Sequence, residues 1–116
     1  MSGRGLRVSE AIRRDIGDML RDEVKDPRIG FITITGVTVP DDLQIATVYY
    51  TVLGDEKTRK EAKEGLESAL GYIRRAVAHR LKIKFAPEII FRYDETFEKE
   101  KKLDEIFDQI HKKKSS

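Results

Sequence analysis

The spacing between apolar residues switches repeatedly along this chain, and each switch limits what the segment can become. Val8, Ile12, Ile16, Met19, Leu20 and Val24 recur every three or four residues, which draws one stripe on a helix from about Val8 to Val24. Ser9 reads as a cap near its start. The helix must end before Asp26-Pro27, because the residue preceding a proline avoids the helical region. From Phe31 the period drops to two: Ile32 and Ile34 share one face and Thr33 and Thr35 the other, until Gly36 interrupts before Val37, Thr38 and Val39. β-branched residues in alternation fit a pleated strand, and a single glycine inside one predicts a bulge.

Pro40-Asp41-Asp42 is turn chemistry, and a second strand follows from Leu43 or Gln44 to Leu53, so the two segments form an antiparallel hairpin. Helical spacing then returns in Ala62, Leu66, Ala69, Leu70, Ile73, Val77 and Leu81, over about Glu56 to Leu81. Gly71 sits in the middle of that stripe, at a cost of about 1 kcal/mol relative to alanine, and predicts two helices meeting at a kink. A short strand, Glu88 to Tyr93, follows Pro87, with Ile89, Phe91 and Tyr93 on one face. Beyond Asp94 the chain is strongly polar, with Leu103, Ile106, Phe107 and Ile110 at the spacing of a last helix and frayed residues after it. The order predicts an α+β fold, α-β-β-α-kink-α-β, with helices on one face of a three-stranded sheet and a C-terminal helical or flexible tail.

Length and composition set the remaining bounds. At 116 residues and 39% hydrophobic content the chain has one modest core, divided as a domain over 1–94 and a charged tail over 95–116. The absence of cysteine excludes disulfides, a thiolate nucleophile and cysteine-ligated metal, and points to a reducing cytoplasm. No apolar run approaches the ~18 residues of a membrane span, and Met1 to Gly5 lacks the apolar region of a secretory signal, so no membrane partner is expected.

Catalytic signatures are missing. His79 and His111 lack partners at metal-ligand spacing, and the glycines form neither usual phosphate-loop pattern. Asp41-Asp42 reads as a turn, not as a carboxylate pair. No catalytic residue, metal, cofactor or small-molecule substrate is therefore expected. The basic residues say more: between Gly71 and Ala86 lie Arg74, Arg75, Arg80, Lys82 and Lys84 with no acidic residue, and Arg75, His79 and Lys82 fall opposite Ile73, Val77 and Leu81. Such a face suits a phosphate backbone. The same residues also complement a helix dipole, with Glu61, Glu64 and Glu67 upstream doing the converse, and charge alone leaves the two readings level. A small-residue bend beside basic residues is how KH-type domains bring backbone to a nucleic-acid strand; their glycine-x-x-glycine loop is absent, but Ala69-Leu70-Gly71 permits close approach. The candidate RNA-binding set is Ala69, Gly71, Arg74, Arg75, His79, Arg80, Lys82 and Lys84.

Several extended motifs together resemble the bacterial ribosome-binding factor A family: Arg7-Val8, then Asp26-Pro27-Arg28-Ile29-Gly30-Phe31-Ile32-Thr33-Ile34-Thr35, then Asp42-Leu43-Gln44-Ile45-Ala46-Thr47-Val48-Tyr49-Tyr50, then Gly71-Tyr72-Ile73-Arg74-Arg75, and Pro87 through Asp94. The resemblance implies a type II KH-like fold with an alanine-x-glycine kink at Ala69-Leu70-Gly71. It also implies a non-enzymatic assembly factor for the small (30S) ribosomal subunit and its 16S rRNA, with a role in the cold; nothing in the sequence calls for more than a monomer. After Asp94 the chain departs from the family, which has a glycine where Phe97-Glu98-Lys99-Glu100-Lys101-Lys102 stands. Two alternatives remain: a generic KH-like RNA chaperone, and a protein-interaction module built on Phe97, Leu103, Ile106, Phe107 and Ile110. Packing of that last stripe on its own domain is the plainer expectation.

Overall fold

The first apolar stripe folds as helix α1, Gly3–Asp18, which buries Ser9, Ile12 and Ile16 and continues into one wider turn, Met19–Glu23. In the computed structural model the chain is described at residues 3–82 and 86–114, with side chains described there except at 97–102 and 111–114. The wide turn closes with Val24 N–H donating to the Met19 carbonyl at 2.8 Å, a five-residue step. The extra residue per turn keeps both Met19 and Val24 on the core side and leaves Glu23 outside.

Ser9 is not the cap expected of it. The helix begins a turn and a half earlier, and the Ser9 hydroxyl donates to the Leu6 carbonyl at 2.7 Å inside it. One of the amides of the first turn, Gly5 N–H, is taken instead by the Asp41 carboxylate at 3.1 Å, from the hairpin 36 residues away. Asp26 then caps a short turn at Pro27–Ile29, accepting from the Arg28 amide at 2.9 Å and pairing with the Arg28 side chain at 2.6 Å.

Strands β1, Ile32–Thr38, and β2, Ile45–Val52, form the expected antiparallel hairpin, from Ile32 opposite Val52 to Thr38 opposite Thr47. The register shifts between Ile34 and Gly36, as the lone glycine predicted. That bulge is what puts Ile34 and Val37, three residues apart, against the same core. Strand β3, Glu88–Tyr93, lies parallel to β2, with Ile45 opposite Glu88 and Tyr50 opposite Tyr93, giving the order β1-β2-β3 in a mixed sheet.

Between them runs α2, Glu56–Leu81, a single helix of 26 residues. The two helices expected to meet near Gly71 are therefore one. Ala62, Leu66, Ala69, Ile73 and Val77 stay in phase across Gly71 and are all buried. Burying Ile73 and Val77 gains roughly 1.5–3 kcal/mol each, which outweighs the about 1 kcal/mol cost of a helical glycine. The Asp55 carboxylate caps the start, accepting from the Thr58 amide at 2.9 Å, and this hydrogen bond holds it below the usual carboxylate range. Lys82 closes the end in the left-handed conformation, φ 52°.

Ile12, Ile16, Met19, Ala46, Val48, Ala69, Ile73, Val77 and Ile89 form the main core, joined by a second cluster of Ile29, Tyr50, Val52, Ala62 and Leu66. After β3, Asp94 accepts from the Thr96 amide at 3.0 Å and from the Thr35 hydroxyl at 2.6 Å, tying the start of α3, Glu95–Lys114, to β1. The last apolar stripe is helical, as its spacing predicted, but it does not pack on the domain: Leu103, Ile106, Phe107 and Ile110 are 46–61% exposed.

Candidate nucleic-acid interface

Helix α2 turns one face to the core, and at 3.6 residues per turn the residues opposite Ile73 and Val77 are Gly71, Arg75, Ala78 and Lys82. Arg74 and His79 flank that line on either side. Gly71, Arg74, Arg75, His79 and Lys82 are all exposed, and no acidic residue lies between Gly71 and Lys82. The result is a positive strip at the C-terminal end of the helix, with bare backbone at Gly71 at one end of it.

The two glycines within α2 differ in a way that matters. Gly65 is buried, and a Cβ there would lie 2.8 Å from Ile29 Cγ2 and 3.2 Å from Arg28 Cβ, so α2 could not approach the Pro27–Ile29 turn with any side chain at that position. Gly71 has no such neighbour. The one atom a Cβ would meet is the tip of the Arg75 side chain at 3.3 Å. Packing explains the first glycine and not the second.

Other members of the candidate set fall elsewhere. Ala69 is 8% exposed in the main core, so a strand laid on the outer face of α2 does not reach it. Arg80 lies near the core side of the helix and not on the strip: its guanidinium pairs with Glu23 and donates to the Asp15 carbonyl at 3.4 Å, pinning α2 to α1. The Tyr72 hydroxyl donates to the same carboxylate at 3.0 Å. Hydrogen bonding to Glu23 raises the pKa of both partners above their usual values, so Arg80 stays charged and Tyr72 stays protonated. Lys84 lies outside the described residues. Charge counting grouped Arg80 with its neighbours, whereas helical phase sets it seven residues from Ile73 on the core side; its partner Glu23 is 57 residues away in the chain and no spacing within α2 announces it.

Asp41 and Asp42 occupy the turn expected of them: Asp41 accepts from Gly5 as above, and Asp42 accepts from the Gln44 amide at 3.0 Å. Among the described residues no group of three or more His, Cys, Asp or Glu is placed to hold a metal ion, and no helix is long and apolar enough to cross a membrane.

One feature escaped sequence reasoning. Tyr50 of β2, Phe91 and Tyr93 of β3 and Arg59, Lys60 and Lys63 of α2 line a single depression. Its parts come from three elements, and only the shared face of Phe91 and Tyr93 was visible in the alternation of β3.

Comparison with known proteins places these features in context. A family model described as Ribosome-binding factor A matches residues 4–107. Ribosome-binding factor A of Geobacter sulfurreducens is 45% identical over 116 residues, covering 100% of this chain and 98% of that one. A solution structure from Thermotoga maritima, described as a putative ribosome binding factor A, is 33% identical with TM-score 0.68, covering 78% of this chain and 86% of that one. A Thermus thermophilus ribosome binding factor A fitted into the map of a complex with the 30S subunit is 20% identical with TM-score 0.59, covering 83% of this chain and 97% of that one, a likeness of fold.

Proposed function

The chain belongs to the ribosome-binding factor A family, and we propose that it binds the immature small ribosomal subunit through 16S rRNA and assists late maturation of that RNA, including in the cold. In this reading the protein is a cytoplasmic monomer that holds RNA and catalyses nothing. On the same reading residues 1–94 are a type II KH-like RNA-binding domain, and 95–116 are a charged C-terminal helix or tail. The observation that carries the proposal is Gly71: an exposed helical glycine that the fold does not require, set on a strip with Arg75 and Lys82. Bare backbone between cations lets a phosphate chain come close to the helix while the side chains neutralise it. The Thermus thermophilus relative fitted on a 30S subunit supports the choice of partner.

Sedimentation of the tagged protein in cell extract tests this. The protein should travel with small-subunit particles at low salt and leave them as salt rises, because each neutralised phosphate adds roughly 0.7–0.9 to the slope of log affinity against log salt. A protein that stays at the top of the gradient at low salt would sink the proposal. One observation favours a protein partner as a second reading: the exposed apolar stripe of α3. If that reading holds, Leu103→Glu with Phe107→Glu abolishes co-sedimentation; in the RNA reading it leaves most of it.

A further inference from the structure

The depression between the first turns of α2 and the end of β3 has the composition of a base-stacking site. Its floor is Tyr50, only 4% exposed, which meets Phe91 edge-on at 6.4 Å and Tyr93 edge-on at 5.5 Å between ring centroids. This packing fixes both β3 rings. Arg59 lays its guanidinium 3.4 Å from the centroid of Tyr93, flat charge over an aromatic face. Lys60 and Lys63 stand exposed at the mouth, and Glu56 lines it beside them.

A guanidinium held on a ring offers its other face as a plane, and unpaired bases stack on arginine planes and on aromatic rings alike. Ammonium groups beside such a plane meet the phosphate of the same nucleotide. We propose that this depression binds one unstacked nucleotide of single-stranded RNA, with its base on the Arg59–Tyr93 stack against Phe91 and its phosphate on Lys60 and Lys63. The proposal rests on the RNA-binding reading above and adds a second, base-contacting point to it. Arg59 and Gly71 are 12 residues apart on one helix, about 18 Å at 1.5 Å per residue, so the two points grip different nucleotides of one segment.

The test is the fluorescence anisotropy of a labelled single-stranded RNA of mixed sequence with the full chain, beside an abasic strand of the same length. The wild type should prefer the RNA, and Arg59→Ala should weaken RNA binding about tenfold and erase that preference. The exposed pair Lys60→Ala with Lys63→Ala should weaken both strands and keep the preference. It also decides the matter if Arg59→Ala fails to fold. Equal affinity of the wild type for RNA and abasic strand, or unchanged RNA affinity in both variants, would overturn the base site while leaving the α2 strip as the RNA contact. Failure of the wild type to bind either strand would remove the RNA reading and the base site together.

Discussion

Replacing Arg74, Arg75 and Lys82 together by alanine should lower affinity for small subunits by about 10²–10³-fold near 0.1 M salt, roughly a decade for each phosphate no longer neutralised. The plot of log affinity against log salt should flatten by up to ~2–3 units. All three side chains are exposed, so thermal unfolding should barely change. Arg80→Ala is the matched control. It removes the same charge from the same helix but breaks the Glu23 pair, so it should lower the melting temperature and leave the salt slope near that of the wild type. A steep slope that survives the triple substitution would mean that these cations serve the helix dipole and that RNA lies elsewhere.

The largest effect on stability is expected at Gly5. A Cβ there would sit 2.3 Å from the Val39 carbonyl oxygen and 3.2 Å from the Pro40 carbonyl carbon, both backbone atoms of the hairpin that cannot rotate away. Gly5→Ala must therefore lift the start of α1 from the hairpin, which also breaks the hydrogen bond from Gly5 to Asp41. Overpacking and the missing cap together cost about 2–4 kcal/mol, enough to lower the melting temperature by roughly 10 °C. Asp41→Ala alone should cost about 1 kcal/mol. Combined with Gly5→Ala its cost should fall below that of the single change by about the worth of the shared bond, which is already broken. Thermal unfolding of the three variants checks this, and full additivity would contradict the shared hydrogen bond.

The elements were legible because each rests on a local period. The alternation around Gly36 gave β1 and its bulge, Pro40-Asp41-Asp42 gave the turn, and the run from Ala62 to Leu81 gave the span of α2. What misled was a local rule opposed by a tertiary gain. Gly71 reads as a break by propensity, yet Ile73 and Val77 are buried only if the helix continues. Ser9 reads as a cap because the true partner, Asp41, becomes a neighbour only after the hairpin folds onto α1. Within the candidate site, exposure of Arg74, Arg75, His79 and Lys82 follows from helical phase, and the same phase that sets Ala69 in the apolar stripe opposes its place in the RNA-binding set, where the structure buries it. The Arg59–Tyr93 stack joins α2 to β3, and no spacing within either element announces it.

The central claim is that Gly71 is a glycine for the sake of what lies on α2 and not for the helix itself. Gly71→Leu separates these directly, with unfolding and small-subunit affinity measured on the same preparation. Leucine is a strong helix former and would meet only the movable tip of Arg75, so stability should rise by up to about 1 kcal/mol. Its bulk should at the same time hold RNA off the strip and weaken binding about tenfold or more, since each phosphate moved out of reach of its cation is worth roughly a decade near 0.1 M salt. A variant that is more stable and binds small subunits as tightly as the wild type would contradict the account.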